Sequence, residues 1–373
     1  MEQQHMFTNR MIRNLLVPVV LEQILNSIMG TADTMMVSNV GSAALSAVSL
    51  VDSINVLLIQ AFSALAAGGA IVCAQYIGQR NYEKANMSAR QVLFIITAIS
   101  VVVSAVCLIF QKPLLRLIFG AVDADVMRAS ETYFFFTALS FPFIAAYDSA
   151  ASIFRAQENT KGPMTISMIS NIMNIGGNAV LIWVFHLGVA GAAISTLVSR
   201  IFCAVVVLWQ LRKDRQPVVV KDYLKIRPDW SMIGRILGLG IPSGIENSMF
   251  QLGKLAIQST VSTLGTTAIA AQAMTSILEA LNGIAAMGVG IGLMTVVGQC
   301  IGAKRKDEAI YYIKRLSWLS EIVILISCAV VYLLAKPVTI LGGMEAESAD
   351  LCFKMIIFIT ITKPVSWVLS FIP

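Results

Sequence analysis

Four oxygen-bearing side chains lie in runs of sequence that are otherwise apolar. Asp33 lies in the first run, Asn174 and Asn178 in a later one, and Thr196 in the run that follows. A spacing of four residues places both asparagines on one face of a helix. Carboxylate, amide and hydroxyl oxygens together can hold a proton or a hard cation, so we interpret these four as a cation-coupling group.

Each of these residues has a structural alternative. A charge in hydrocarbon costs about 2.5 to 3.5 kcal/mol, so coupling is the favoured interpretation of Asp33, with a structural pair as the alternative. For Asn174, Asn178 and Thr196, hydrogen bonds between helices explain the residue types equally well.

The composition assigns the chain to the membrane. Of 373 residues, 57% are hydrophobic and 13% are charged, with a mean hydropathy of +0.77. A soluble domain has about 25% charged residues, so we predict an all-α integral membrane protein. The two His and six Cys lack the spacing of a metal cage or a disulfide framework, so we expect no cofactor and no resident metal. No nucleophile and base stand out as a pair, which disfavours an intramembrane enzyme.

Ten runs are long enough to cross a bilayer core about 30 Å thick. The predicted spans are 15–38, 48–75, 91–110, 131–154, 163–185, 189–211, 232–263, 268–299, 316–335 and 351–373. Asp33 then lies about 27 Å along the first span. The asparagines and Thr196 fall at a similar depth, so the four side chains converge in the outer half.

Basic residues near the span ends predict the orientation. With a cytoplasmic N-terminus, 18 Lys and Arg residues lie on the inside and 5 on the outside. We therefore expect a multi-pass protein of the cytoplasmic membrane with its N-terminus inside. This topology accounts for the net charge of +6, so the lipid bilayer is an expected partner and a nucleic acid is not.

The chain repeats itself at an offset of 224 residues. Segment 18–85 matches 242–309 without a gap, and the pairs include Pro18 with Pro242 and Glu22 with Glu246. Six spans separate the copies, so both enter the membrane from the same side as parallel repeats. We predict an N-terminal lobe at 1–210, a basic cytoplasmic linker at 211–230 and a C-terminal lobe at 231–373. Two six-helix lobes need twelve spans, so we expect spans 11 and 12 to be missing from this chain.

Other polar residues in the spans have secondary interpretations. Glu22 and Glu246 are predicted to line an inner cavity, and Lys254 with Glu279 is a candidate neutralising pair. Pro18 and Pro242 lie inside spans, where a missing backbone hydrogen bond permits either a static kink or a bending helix.

Several motifs in order resemble one transporter family, the multidrug and toxic compound extrusion (MATE) family. They are "LLVPVVLEQ" with "ADTMMVSNVG", the paired "CAQYIGQRNYEKA" and "VVGQCIGAKRKDEA", "FRAQENTKGPM", "NIGGNAVLIWVFHLGVAGAAISTLVSR" and "LGIPSGIENSMFQLGK". The resemblance covers essentially the whole chain. It implies a monomeric secondary antiporter that exports amphipathic or cationic small molecules by alternating access.

The resemblance also bears on the coupling ion. Asp33 matches a family aspartate, and Asn174 and Thr196 match polar positions around a cation site of one branch. Asn178 stands where many members carry a second aspartate. A single carboxylate suits a proton better than Na⁺, which prefers several hard oxygen ligands, so H⁺ is favoured and Na⁺ is the alternative.

Two other functions remain open. A lipid-linked oligosaccharide flippase shares the two-lobe fold, but it needs several cations in its cavity, and Arg200, Lys254 and Lys363 are the candidates. A truncated, non-transporting membrane protein is the second alternative.

Overall fold

The fold is helical throughout the part of the chain that the structure describes. This computed structural model describes residues 5–119, 123–213, 216–221, 223, 226–262, 266–341 and 346–371, and these contain no strand. The helices are α1 (Asn9–Ser38), α2 (Ser42–Gly78), α3 (Tyr82–Ile109), α4 (Gln111–Phe119), α5 (Ala124–Leu139), α6 (Phe141–Ala156), α7 (Lys161–Asn178), α8 (Gly188–Leu211), α9 (Trp230–Ser262), α10 (Thr266–Gly302), α11 (Lys306–Leu341) and α12 (Ala346–Phe371). A π-helical segment, Ala179–Val184, follows α7 directly. The predicted all-α class is confirmed.

The ten predicted membrane spans are confirmed in part among the described residues. Among the described residues, seven helices are long and apolar enough to cross a membrane, and the pair α5 and α6, bent by 42°, makes an eighth if it counts as one span. All ten predicted spans overlie helices, but α9 and α12 are not among the seven. The polar stretch "GIPSGIENS" in the middle of α9 lowers its hydropathy, which the sequence-based prediction did not weigh.

Local sequence explains where several helices begin or break. Asn81 Oδ1 accepts a hydrogen bond of 3.1 Å from the Lys84 amide at the start of α3, and Asp229 Oδ1 accepts from Ser231 and Met232 at the start of α9. Side-chain caps of this kind satisfy the free amides of a first turn. Ser140 separates α5 from α6, with Pro142 at the start of α6. By contrast, α1 and α9 run through Pro18 and Pro242 without a break, so their bending role stays a prediction.

The described residues divide into two compact units. The larger unit comprises Ile28–Ser248 with Gly302–Lys304, and the smaller unit comprises Met1–Ser27, Met249–Ile301 and Arg305–Pro373. The first part of α1 belongs to the smaller unit and the first part of α9 to the larger unit. The predicted lobes assign these two parts the other way round. The lobe boundaries at 1–210, 211–230 and 231–373 stay a prediction.

Each unit has its own apolar core. In the larger unit, Phe134, Phe141 and Phe154 are almost completely buried among α2, α3, α5, α6 and α8. In the smaller unit, Tyr312 is fully buried, and its hydroxyl accepts from the Phe7 amide at 3.0 Å and donates to the Phe7 carbonyl at 2.8 Å. Phe7, which precedes α1, is thereby fixed to α11.

The basic segment between α8 and α9 packs on the larger unit. Val218 and Val220 are fully buried, and the Val218 amide donates to Gln157 Oε1 at 2.9 Å. The Tyr223 hydroxyl donates to the Leu208 carbonyl at 2.6 Å, and burial raises the pKa of Tyr223 to about 12. The tyrosine therefore stays a hydrogen-bond donor across the physiological pH range.

Equivalent helix crossings occur in the two units. In the larger unit, a Cβ added to Gly68 of α2 would lie 2.6 Å from the Gly240 nitrogen of α9. In the smaller unit, Gly292 of α10 lies against Leu16 of α1. Both pairs of positions are related by the offset of 224, so the repeated sequence corresponds to a repeated contact. Close backbone approach at small residues is typical of membrane helices.

Substitution of Gly240 tests this crossing. A Cβ at Gly240 would lie 2.8 Å from the Leu65 Cα, whereas one at Gly234, also in α9, meets nothing within 4 Å. We expect Gly240→Ala to lower the free energy of unfolding by about 1 to 3 kcal/mol because the crossing is overpacked. Gly234→Ala should be neutral or stabilising by up to about 1 kcal/mol through helix propensity. Thermal unfolding in detergent measures both, and equal behaviour of the two variants would contradict the close crossing.

Candidate cation-coupling site

The structure brings the four predicted residues together in the larger unit. The Asn178 amide nitrogen donates to Asp33 Oδ1 and also, at 3.5 Å, to Asn174 Oδ1. The Asn174 amide nitrogen in turn donates to Thr196 Oγ1 at 3.2 Å. A continuous hydrogen-bonded chain therefore joins α1, α7 and α8 through Asp33, Asn178, Asn174 and Thr196.

Small residues allow α7 and α8 to approach closely at this point. Gly177 of α7 faces Ser195 of α8, where an added Cβ would lie 3.3 Å from the Ser195 Cβ. The Ser195 hydroxyl donates to the Asn174 carbonyl at 2.8 Å. Asn174 and Asn178 are consequently 1% and 0% exposed, while Asp33 at the end of their chain is half-buried.

One acceptor of the site is unused. Asn178 Oδ1 is buried and has no hydrogen-bond partner within the described parts of the chain. A buried amide oxygen without a donor is uncommon in folded proteins. Asn178 also contacts the Asp33 carboxylate. Together the two groups can accept a proton, a hydrogen bond from water or a monovalent cation.

Two further acids, Asp52 and Asp148, lie in the same unit. The sequence analysis did not assign them to the site. Asp52 Oδ1 accepts from the Asn55 amide at 3.1 Å and from the Tyr133 hydroxyl at 3.2 Å. Asp148 Oδ2 accepts from the Ser63 hydroxyl at 2.6 Å. These carboxylates belong to α2 and α6, so three acids from three helices, with Asp33, are gathered in one unit.

Arg200 of α8 supplies positive charge to these acids. It interacts electrostatically with Asp52, Asp148 and Asp33. Its Nη1 donates to Ser140 Oγ at 2.7 Å, at the break between α5 and α6. Ser140 is fully buried, so the guanidinium is fixed at the bend of the helix pair.

The donor set limits what the site can bind. Within the described segments, no group of three His, Cys, Asp or Glu residues could hold a metal ion. The chain from Asp33 to Thr196 offers one carboxylate with neutral amide and hydroxyl groups. It is therefore suited to a proton or a monovalent cation, and it has no arrangement for nucleophilic catalysis.

The other charged residues predicted from the sequence lie in different surroundings. They are Glu22, Glu246, Lys254 and Glu279. Glu22 is buried in the smaller unit, whereas its repeat equivalent Glu246 is exposed in the larger one. The candidate pair of Lys254 with Glu279 is not formed. Lys254 is exposed, with Nζ 4.9 Å from the centroid of the Phe250 ring, and Glu279 instead accepts a hydrogen bond of 3.0 Å from Lys363. Lys363 of α12 is thus the partner of the acid that was assigned to Lys254.

Long apolar helices with hydrogen-bonded acids among them are features of a multi-pass membrane protein. The MatE family model matches residues 18–180 and 242–372, which is well over half of the chain. The chain belongs to this family of transporters.

Relatives and solved structures agree with this assignment. Over 350 residues the chain is 26% identical to "Probable multidrug resistance protein YoeA" of Bacillus subtilis, covering 91% of this chain and 75% of the relative. It is similar in fold to a MOP superfamily transporter from Pyrococcus furiosus, with a TM-score of 0.87, 21% identity, and coverage of 97% of this chain and 80% of the other. An outward-facing structure of a multidrug resistance MATE family transporter gives the same TM-score at 20% identity, with the same coverage of both chains.

Removal of the Arg200 charge should destabilise the larger unit. Arg200→Met removes this charge and the hydrogen bond to Ser140, and we expect a loss of about 1 to 3 kcal/mol in the free energy of unfolding. Adding Asp52→Asn removes one of the repelling charges, so the double variant should be more stable than Arg200→Met alone. The measurement is thermal unfolding in detergent.

The exposed Arg90 provides the control. Arg90→Met removes the same charge from α3 and should change stability by no more than about 0.5 kcal/mol. If Arg200→Met unfolds at the same temperature as Arg90→Met, the charge is not needed among the acids.

Proposed function

We propose that this protein is a secondary active antiporter of the cytoplasmic membrane. It exports amphipathic, cationic or aromatic small molecules and takes up a proton at Asp33 in exchange. The observation that carries the proposal is the contact between the Asp33 carboxylate and the buried Asn178 amide, on membrane helices of a MatE family protein. The names of the relatives as multidrug resistance proteins support the substrate class.

Two features support a proton over Na⁺ as the coupling ion. Asp33 is the one carboxylate in the hydrogen-bonded chain to Thr196, and Na⁺ prefers several hard oxygen ligands. In addition, no group of three His, Cys, Asp or Glu residues within the described parts of the chain could hold a metal ion. A proton can be held by one carboxylate and released without any rearrangement of ligands.

Exchange follows from competition between the proton and the substrate. A deprotonated Asp33 attracts a cationic molecule to the larger unit, and protonation removes that attraction. Each ligand thus favours a different state of the protein, and this difference couples their movements. The proposal includes a monomer with its N-terminus in the cytoplasm, as the distribution of Lys and Arg predicts.

The basic side chains support export of cations rather than a lipid-linked anion. Lys363 is paired with Glu279, Lys254 lies over the Phe250 ring, and Arg200 faces acids. A pyrophosphate substrate would have to compete with each of these contacts. The flippase alternative is therefore the weaker proposal.

Asp33→Asn tests the proposed coupling. In proteoliposomes with an imposed pH gradient, a fluorescent aromatic monocation should accumulate with the wild-type chain. Asp33→Asn should lower this transport at least 10-fold, because the amide cannot take up a proton. Asp350→Asn is the matched control, since Asp350 is an exposed acid paired with Lys354 at 2.6 Å, and it should transport at the wild-type rate.

The choice of ion in the imposed gradient distinguishes H⁺ coupling from Na⁺ coupling. A Na⁺ gradient at equal pH should drive no transport above background in the wild type. Transport that persists in Asp33→Asn removes this carboxylate from the mechanism. Transport driven by Na⁺ alone would replace the proton in the proposal.

A further inference from the structure

An apolar groove lies in the smaller unit, whereas the cation-coupling residues belong to the larger unit. It has a volume of about 490 Å³ and lies between α1, α10 and α11. Its floor consists of the buried side chains of Leu16, Val289 and Leu316, and its rim includes the exposed side chains of Val17, Trp318 and Ile322. All the lining residues belong to the smaller unit.

One end of the groove is strongly basic. Arg13 of α1 and Arg315 of α11 both line it, together with Asn9. Arg315 Nη2 donates to Asn9 Oδ1 at 2.8 Å, and Nη1 donates to the Tyr311 hydroxyl at 3.3 Å, so this guanidinium is held in place by neutral partners. Within the described residues, neither arginine has a carboxylate at ion-pair distance.

The length of the groove matches one leaflet of a bilayer. From Asn9 to Val20 the axis of α1 advances about 16 Å, and from Arg315 to Val323 the axis of α11 advances about 12 Å. Half of a hydrocarbon core of about 30 Å is about 15 Å. The basic end lies at the first turns of α1, and its Arg315 lies about 14 Å along α11 from Lys306. The highly exposed Trp318 lies one turn further along α11, as is typical of the membrane interface.

The positive charge at the basic end determines which class of ligand the groove can bind. The proposed transport substrates are cationic, and two guanidinium groups without acidic partners repel them. A phosphate diester is an anion that arginine binds through two parallel hydrogen bonds. An apolar tail of leaflet length fits the remainder of the groove, where the lining is aliphatic apart from Trp318.

We propose that this groove is a binding site for one anionic phospholipid. The phosphate is held by Arg13 and Arg315, and one acyl chain lies along Leu16, Val289 and Leu319. The bound lipid then covers the face that α1 shares with α10 and α11. It acts as a structural ligand of the smaller unit and is separate from any transported molecule.

Fluorescence quenching at Trp318 tests this site in the intact chain. The protein is reconstituted in phosphatidylcholine vesicles that contain either brominated phosphatidylglycerol or brominated phosphatidylcholine. The difference in quenching between wild type and Trp318→Phe isolates the signal of this tryptophan. One kcal/mol per arginine near an anionic lipid corresponds to about five-fold in binding, so the anionic lipid should quench Trp318 at a mole fraction at least about five-fold lower than the zwitterionic one.

Two pairs of substitutions remove equal charge from the same two helices. Arg13→Gln with Arg315→Gln should abolish the preference for the anionic lipid. Arg10→Gln with Lys314→Gln is the control, because both residues are exposed and neither lines the groove, and it should keep the preference. Val17→Phe leaves both arginines in place but narrows the groove, so it should reduce quenching by either lipid.

The outcomes are decisive in both directions. Loss of the preference in the first pair, with retention in the control pair, supports the site. Equal quenching by the two lipids in the wild type overturns the proposal, as does equal loss in both pairs, which would indicate general attraction to the surface. If brominated lipids quench Trp318 in Val17→Phe as strongly as in the wild type, no acyl chain occupies the groove.

Discussion

The low dielectric constant of the membrane interior is the constraint on which this structure depends. Within hydrocarbon a polar group has no water to bond with, so its partners must come from the protein. The larger unit meets this requirement with neutral donors for three of the acids on its helices, namely Asn178 for Asp33, Tyr133 and Asn55 for Asp52, and Ser63 for Asp148. Because these donors come from several different helices, satisfying the acids also fixes how those helices pack.

The sequence predicts the fold well because apolar length is a direct property of the chain. A run of about 20 apolar residues becomes a helix in lipid whatever its neighbours are, and each predicted span indeed overlies a helix. The bend at Ser140 and the π-helical segment after Asn178 were not predicted. Both depend on contacts with other helices, such as the hydrogen bond from Arg200 to Ser140, which no local pattern shows.

The site was also predicted only in part, because the sequence shows local spacing and does not show contacts between helices. Asn174 and Asn178 share a face by helical spacing, and depth along the spans places Asp33 and Thr196 near them; the structure joins all four. Asp52 was missed because it lies only four residues inside a predicted span, where a charge is usual at the membrane interface. The short spacing of Asp52 and Asn55, together with an arginine inside an apolar run, was the available signal. The wrong pairing of Glu279 arose because two lysines were possible partners and sequence gives no distances.

The two repeats have kept their packing and have diverged in charge. Gly68 with Gly240 and Gly292 with Leu16 occupy equivalent crossings. At the same offset, however, Asp33 corresponds to Ile257, and Asn55 corresponds to Glu279. Packing was thus retained in both copies, whereas these polar positions differ between them, although Glu22 and Glu246 still correspond.

The crossing of α1 with α10 has a consequence for the synthesis of the protein. Leu16 and Gly292 are 276 residues apart in the chain, and ribosomes add about 5 to 20 residues per second. Helix α1 therefore leaves the ribosome about 14 to 55 s before its partner in α10 exists. During that interval α1, with Glu22 on it, must be sheltered by lipid or by the insertion machinery. Helix α1 thus enters the membrane well before it can reach its native contact with α10.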